Sequence, residues 1–154
     1  MRSTPPSNGL YSAHDAARLP WDADRWPNFR LAEFQCREGA RRLPCRACGG
    51  DLYYDPDFFD RLQAARTAHA RPFRINSAHR CAAAEARVGG AFSEHFRRLA
   101  VDIDLRGHDR HALHASLKRA GFRGFGFYQT FLHADMGRKR FWYGGQASKL
   151  AWAS

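Results

Sequence analysis

The order of local patterns along the chain predicts an α+β fold, a small antiparallel sheet with flanking helices. Three observations carry that expectation. An amphipathic helical segment is followed by two strand-like segments, a second helix and two further strands. The strand-like segments alternate apolar and polar residues with a period of two. The chain has 154 residues, 44% hydrophobic and 26% charged, which suffices for one domain with its own core and falls short of two. That hydrophobic content also excludes disorder for most of the chain.

Residues 1–30 hold Pro5, Pro6, Gly9, Pro20 and Pro27 among Trp21, Trp26 and Phe29, which predicts an irregular N-terminal arm pinned by aromatic anchors. Residues 31–154 are read as a single domain. Leu31 to Gly50 carries three cysteines and a basic loop, Arg37 to Arg46. Asp55 suits a helix N-cap and Pro56 the first helical position. Phe58, Leu62 and Ala65 then recur at helical spacing, so the helix extends to the neighbourhood of Ala70. Phe73-Arg74-Ile75-Asn76 alternates as a short strand does. Ser77 to Ser93 is a loop with Gly89-Gly90 and an alanine-rich stretch, Ala82 to Arg87.

Leu99 to Leu105 reads as a strand with Val101, Ile103 and Leu105 on one face and Ala100, Asp102 and Asp104 on the other. Asp109 caps a second helix whose stripe is Leu113, Leu117 and Ala120, and Gly121 sits where it ends. Phe125 to Tyr128 and Phe131 to Met136 are strands joined by a turn at Gln129-Thr130. The second of these presents Phe131, His133 and Asp135 on one face.

A formal charge of +10 attracts anionic polymers, whether nucleic acid, phospholipid surfaces or bacterial wall. Arg37, Arg41, Arg42, Arg46, Arg97, Arg98, Arg138 and Arg140 read either as a wall-binding face or as a solvated basic surface. No run approaches the ~18 apolar residues of a membrane span. The first residues lack the charged-then-apolar layout of a secretory signal, so the expected product is soluble and made in the cytoplasm.

His95, Asp102 and His133 form a ligand set suited to a catalytic zinc, which takes three protein donors and keeps a fourth place for water. His95 precedes one strand, Asp102 lies on that strand's polar face, and His133 lies on a face of a later strand. Eight histidines and fifteen acids make such a trio easy to assemble by chance, so spacing alone leaves it open. Asp135, two positions beyond His133 on the same face, is the candidate general base. His14, His69, His108, His111 and His114 read as solvated or helix-terminal.

Ser77-Ala78-His79-Arg80, Val88-Gly89-Gly90-Ala91, Ser93-Glu94-His95, Ala100-Val101-Asp102-Ile103, Gly124-Phe125-Gly126-Phe127-Tyr128 and Phe131-Leu132-His133-Ala134-Asp135 occur in that order. The series resembles the zinc D-Ala-D-Ala carboxypeptidase and murein endopeptidase family, peptidase family M15, particularly its first subfamily. The likeness spans Phe34 to Trp142. It implies a D-Ala-D-Ala carboxypeptidase/hedgehog-like fold with one catalytic Zn2+ on a sheet face, held by His95, Asp102 and His133. The implied activity is hydrolysis of peptide bonds in bacterial peptidoglycan by zinc-activated water, either trimming a terminal D-Ala or cutting a cross-bridge.

The same resemblance implies that Arg80 clamps a substrate carboxylate or steadies the oxyanion, and that His79, Ser93 and Tyr128 border the substrate. Ser77 and Ser93 shape loops, and Gly89 and Gly90 permit a tight backbone path. Four positions depart from the family pattern. Phe131 and Thr130 stand where many members have an acid or histidine, and Arg98 and Glu85 replace a glycine and an asparagine.

Cys36, Cys45, Cys48 and Cys81 read either as a closed structural zinc site, a second ion, or as disulfides. The Cys45-Arg46-Ala47-Cys48 pair does not lie between a strand and a helix, which disfavours thioredoxin-like chemistry. Trp142 and Tyr143 either line a substrate groove or lie under the arm. The chain is thus expected to be a monomeric metallopeptidase acting on the wall as a lysis enzyme. Its rivals are a catalytically inactive zinc-containing wall-binding module and a basic nucleic-acid binder built on a cysteine zinc site.

Overall fold

Residues 5–89 and 93–154 are described by a computed structural model. In chain order the elements are β1 (Gly9–Tyr11), α1 (Ala13–Ala16), a 3-10 turn (Leu31–Phe34), β2 (Arg37–Glu38), β3 (Leu43–Pro44), β4 (Leu52–Tyr54) and α2 (Pro56–His69). There follow β5 (Ile75–Ser77), α3 (Ala82–Arg87), α4 (Glu94–Arg97), β6 (Ala100–Asp104) and α5 (Arg110–Arg119). The chain closes with β7 (Gly124–Phe127), β8 (Phe131–Asp135), β9 (Arg140–Tyr143) and α6 (Gln146–Ala153). Gly90 and Ala91 of the glycine loop lie outside the described residues.

The two long helices start where their caps predict. Asp55 Oδ1 accepts from the Phe58 amide at 3.3 Å, and Pro56 opens α2 without needing a donor. Asp109 Oδ1 accepts from the amides of His111 and Ala112 at 3.0 and 3.1 Å, a cap of the kind that contributes about 1 kcal/mol. Beyond α2 the chain turns at Ala70, with φ 60°. The stripe of α2 (Phe58, Leu62, Ala65) and that of α5 (Leu113, Leu117) enter one apolar cluster.

That cluster lies against the back of a five-stranded sheet in the order β5-β6-β8-β7-β9. All neighbours are antiparallel except β9, which runs parallel to β7. The reason is the short crossing from Asp135 to Arg140, which passes the start of β7: Gly124 is opposite Asp135 on one side and Arg140 on the other. Val101, Ile103, Leu132 and Ala134 face the helices and are fully buried, each of the larger ones contributing about 1.5–3 kcal/mol. The opposite face carries Asp102 and His133.

β5 begins two residues later than the alternation predicts, and it contains a β-bulge. Ile75 pairs with Ile103, yet Ser77 pairs with Asp102, so two steps on β5 match one on β6. The extra residue re-aims Ser77 to stand opposite Asp102.

The segment expected as an irregular arm is built into the fold. Its β1 pairs with β4, and Ala16, Trp26 and Phe29 are buried in the same cluster as the sheet, with Trp26 packed edge-on against Phe59. Two arginines expected on a basic face are also engaged inside: Arg37 donates to the carbonyls of Glu33 and Ile75, and Arg140 binds Asp135. Among the described residues no helix is long and apolar enough to cross a membrane.

Candidate metal centre

Because β6 and β8 are antiparallel with Asp102 directly opposite His133, the two side chains stand side by side on the front of the sheet. His95, on the short α4 just before β6, swings in from the third side. His95 Nε2 lies 3.1 Å from Asp102 Oδ1 and 3.0 Å from His133 Nδ1, and His133 Nδ1 lies 3.2 Å from the same carboxylate oxygen. All three residues are buried. Zinc bonds of 2.0–2.1 Å at a tetrahedral angle separate donors by about 3.3 Å, so the triangle has the right size for an ion.

The hydrogen bonds on the far sides of the rings make the case sharper. His95 Nδ1 is 2.6 Å from the Ala78 carbonyl and His133 Nε2 is 2.7 Å from Asp135 Oδ2, both acceptors, so each of these nitrogens carries its ring's proton. The remaining nitrogens, His95 Nε2 and His133 Nδ1, then present lone pairs to each other and to a carboxylate. With both rings neutral, three acceptor atoms stand 3.0–3.2 Å apart, an arrangement that a cation among them would stabilise. Burial pushes the Asp102 carboxyl up, but the His95 and His133 imidazoles outweigh it and hold it well below the usual range. Burial pushes the His133 imidazolium down, and Asp102 and Asp135 reverse that upward.

Asp135, expected as the general base, shares the face of His133 but is fully engaged there. Its Oδ2 accepts from His133 Nε2 and from Arg140 at 2.7 Å each, and its Oδ1 accepts from Arg140 at 2.8 Å and from the Gly137 amide at 2.9 Å. It is 0% exposed. The carboxylate–histidine contact fixes the tautomer and orientation of a metal-type ligand. This ion pair crosses over β7 at Gly124, where a Cβ would fall 2.1 Å from both Arg140 Nη1 and Asp135 Oδ1. Gly126 does the same for Trp142, whose ring occupies the space of the missing side chain and lies 4.9 Å from the His133 ring. The Gly-Phe-Gly-Phe run of β7 thus keeps glycines on the front and Phe125 and Phe127 in the core.

Arg80 lies at the edge of the triangle. Its Nε donates to Glu85 Oε2 at 2.8 Å, and its Nη1 is 3.4 Å from Ser77 Oγ and 3.9 Å from Asp102 Oδ2. Glu85 also accepts from the Ser93 amide, so the residue that departs from the family pattern is a bracket for Arg80. Arg98 is exposed, and its carbonyl meets His79 Nδ1 at 3.0 Å. His79 itself is 3% exposed, which leaves little of it for a substrate to touch. Gly89 adopts φ 73°, in the left-handed region.

On the other flank Trp142 donates from Nε1 to Tyr128 Oη at 2.9 Å, and Tyr128 stacks on Phe131 at 4.2 Å, forming an aromatic wall beside His133. Trp142 packs on His133 and Arg140, and Tyr143 is exposed. Strand alternation sends Tyr143 to the back of the sheet, where it borders a groove of about 1130 Å³ with Phe125, Phe127 and Phe141.

The four cysteines also converge. The Sγ atoms of Cys36, Cys45, Cys48 and Cys81 all lie within 4.8 Å of one another, all as free thiols. Burial pushes the Cys36 thiol up. At Cys45 burial acts the same way, but the Cys48 and Ala47 amides and the Arg87 guanidinium outweigh it and bring that thiol down to about 6.

Comparison with known proteins gives one clear result. A family model described as Peptidase M15 matches residues 27–135, well over half of the chain and including all three members of the His–Asp–His triangle. A search of curated proteins finds no match.

Proposed function

The chain belongs to the peptidase M15 family, and from that premise we propose that it is a zinc-dependent peptidase cutting peptide bonds of bacterial peptidoglycan. The cut either trims a terminal D-Ala or opens a cross-bridge. Supporting this reading are two imidazole nitrogens whose tautomers are fixed by Ala78 and Asp135 and which converge with Asp102 Oδ1. His95, Asp102 and His133 are the residues that would hold the ion. Zinc at such a site acidifies a water and polarises the scissile carbonyl.

The chain's own groups do the rest. Asp135 is a positioning residue: pinned by Arg140 and Gly137, it keeps the proton of His133 on Nε2 and its Nδ1 lone pair toward Asp102. Arg80, with Nε occupied by Glu85, offers its terminal nitrogens to a substrate carboxylate or to the negative charge that develops on the carbonyl oxygen. Ser77 steadies that guanidinium, and Ser93 secures Glu85 through its amide. Trp142 and Tyr128 flank the peptide, and the +10 charge retains the protein on anionic wall polymers. Such an enzyme acts at the wall as a lysis enzyme.

The test is release of D-Ala from a D-Ala-D-Ala-terminated peptide and of new amines from purified peptidoglycan, with and without chelator. We expect activity abolished by chelator and restored by zinc, and a loss on the order of a thousandfold or more in His133→Ala. Zinc-loaded, folded protein that binds the wall polymer but releases neither product overturns the peptidase reading in favour of a binding module.

A further inference from the structure

We propose that Cys36, Cys45, Cys48 and Cys81 hold a second, structural metal ion, a tetrahedral zinc, that braces the wall carrying Arg80. The assignment stands independently of the peptidase reading. A zinc–sulfur bond of about 2.3 Å sets tetrahedral sulfurs about 3.8 Å apart. Cys45 Sγ and Cys81 Sγ are 3.8 Å apart, and the other sulfurs lie within 4.8 Å. The free thiols form one four-membered group and are not divided into two bonded pairs at the ~2.05 Å of a disulfide.

Donors are aimed at the sulfurs from several directions. The Gly50 and Asp51 amides point at Cys48 Sγ at 3.5 and 3.3 Å, the Cys81 amide at Cys36 Sγ at 3.3 Å, and Arg87 Nη2 at Cys45 Sγ at 3.3 Å. Such N–H groups favour thiolates, the form that binds metal. The Arg87 guanidinium, held in place by Glu38 of β2, brings a positive charge against Cys45 Sγ.

Among the described residues the local fold has little apolar packing of its own. Two-residue strands β2 and β3 make up its sheet, and Leu43 is 57% exposed. The buried apolar cluster there consists of Cys36, Cys45 and Ala84, with Cys48 and Cys81 packed on it. A segment this poor in aliphatic side chains needs a cross-link to hold one shape.

The position of Cys81 gives the ion its consequence. Arg80 precedes it directly and donates its amide to the His95 carbonyl at 2.8 Å, and Cys81 precedes α3, which carries Glu85. Anchoring Cys81 to Cys36, Cys45 and Cys48 therefore holds the Arg80–Glu85 bracket against the rest of the domain.

Full-length protein loaded with cobalt, together with zinc counts per chain, tests the assignment. We expect two equivalents of zinc in the wild type, one in His133→Ala, and intense thiolate-to-cobalt charge-transfer absorption that persists in His133→Ala. Cys45→Ser/Cys48→Ser loses that absorption. Should this double variant fail to fold, alkylation of the native wild type supplies a second measurement: the four thiols are protected while zinc is bound and react once chelator is added. Cobalt-loaded wild type without the charge-transfer band, immediate alkylation of all four thiols in zinc-loaded protein, or isolation of the native chain with disulfides overturns the proposal.

Discussion

In the His95–Asp102–His133 centre the donors come from two paired strands and the short helix before them, whereas Cys45 and Cys48 share one turn and are joined by Cys36 and Cys81 from neighbouring loops. The sheet-built group has three donors of nitrogen and oxygen type, held from behind by Asp135, Arg140 and the Ala78 carbonyl. The loop-built group has four sulfurs and receives N–H donors directly on them. Three donors leave an ion a place for a reactant, and four close it. On the two proposals above, the difference assigns an ion a chemical task where the support is a sheet and one donor is missing, and a structural task where four donors gather on short loops.

If the sheet truly is the support of the first centre, its sharpest vulnerability is Gly124. In Gly124→Ala the new methyl meets Arg140 Nη1 and Asp135 Oδ1 at once in the middle of the sheet. We expect a stability loss of about 2–3 kcal/mol by urea titration and loss of the zinc bound by the histidines, with the thiolate-bound zinc retained. Loss of both ions together would show that the two regions are not separate supports.

Asp135→Asn is the next largest. It removes the charge that orients His133 and leaves Arg140 without its partner, while conserving the volume. Zinc affinity at the histidine centre should fall about 10–100-fold, measured by competition with a chromophoric chelator, and the cobalt–thiolate absorption should not change. An unchanged affinity would remove Asp135 from the support.

The smallest effect calibrates the other two. Asp60, on α2 away from both centres, accepts from Arg25 at 2.6 and 2.7 Å and from Trp26 Nε1 at 2.9 Å. The hydrogen bond from Arg25 holds its carboxyl below the usual range. A lowered native pKa stabilises the fold above the unfolded value of about 3.9 and ceases to do so as pH falls through the native value. Asp60→Asn should therefore cost under about 1 kcal/mol at pH 7, with both zinc ions kept at that pH and the gap in stability from wild type closing below pH ~4. A metal lost here would mean that metal content reports general stability and not local support.

Much of this was legible from residue types. Asp55-Pro56 and Asp109 place the helix starts because capping is a local hydrogen bond. The alternation of Leu99 to Leu105 and of Phe131 to Met136 assigns Asp102 and His133 to polar faces because side chains on a strand alternate whatever its neighbours are. Other features were not legible. The bulge that turns Ser77 to face Asp102 depends on pairing with β6. The capture of Asp135 by Arg140 depends on β9 crossing to the far side of β7, and glycines alternating with phenylalanines in Gly124 to Phe127 were its sequence signal. In the first thirty residues, rich in proline, Trp26 and Phe29 were legible as anchors, but the strand β1 and the burial of Ala16 were not, because local propensity does not report pairing with a distant strand.

By itself the sequence determined the helix starts, the strand faces and the inventory of donors, since each depends on residues a few positions apart. Only the tertiary structure decided which donors meet, which carboxylate pairs with Arg140, and which cysteines come together. Those outcomes depend on strand order, register and crossing, which also bring together groups as far apart in the chain as His133 with Asp102, 31 positions, and Cys81 with Cys36, 45 positions.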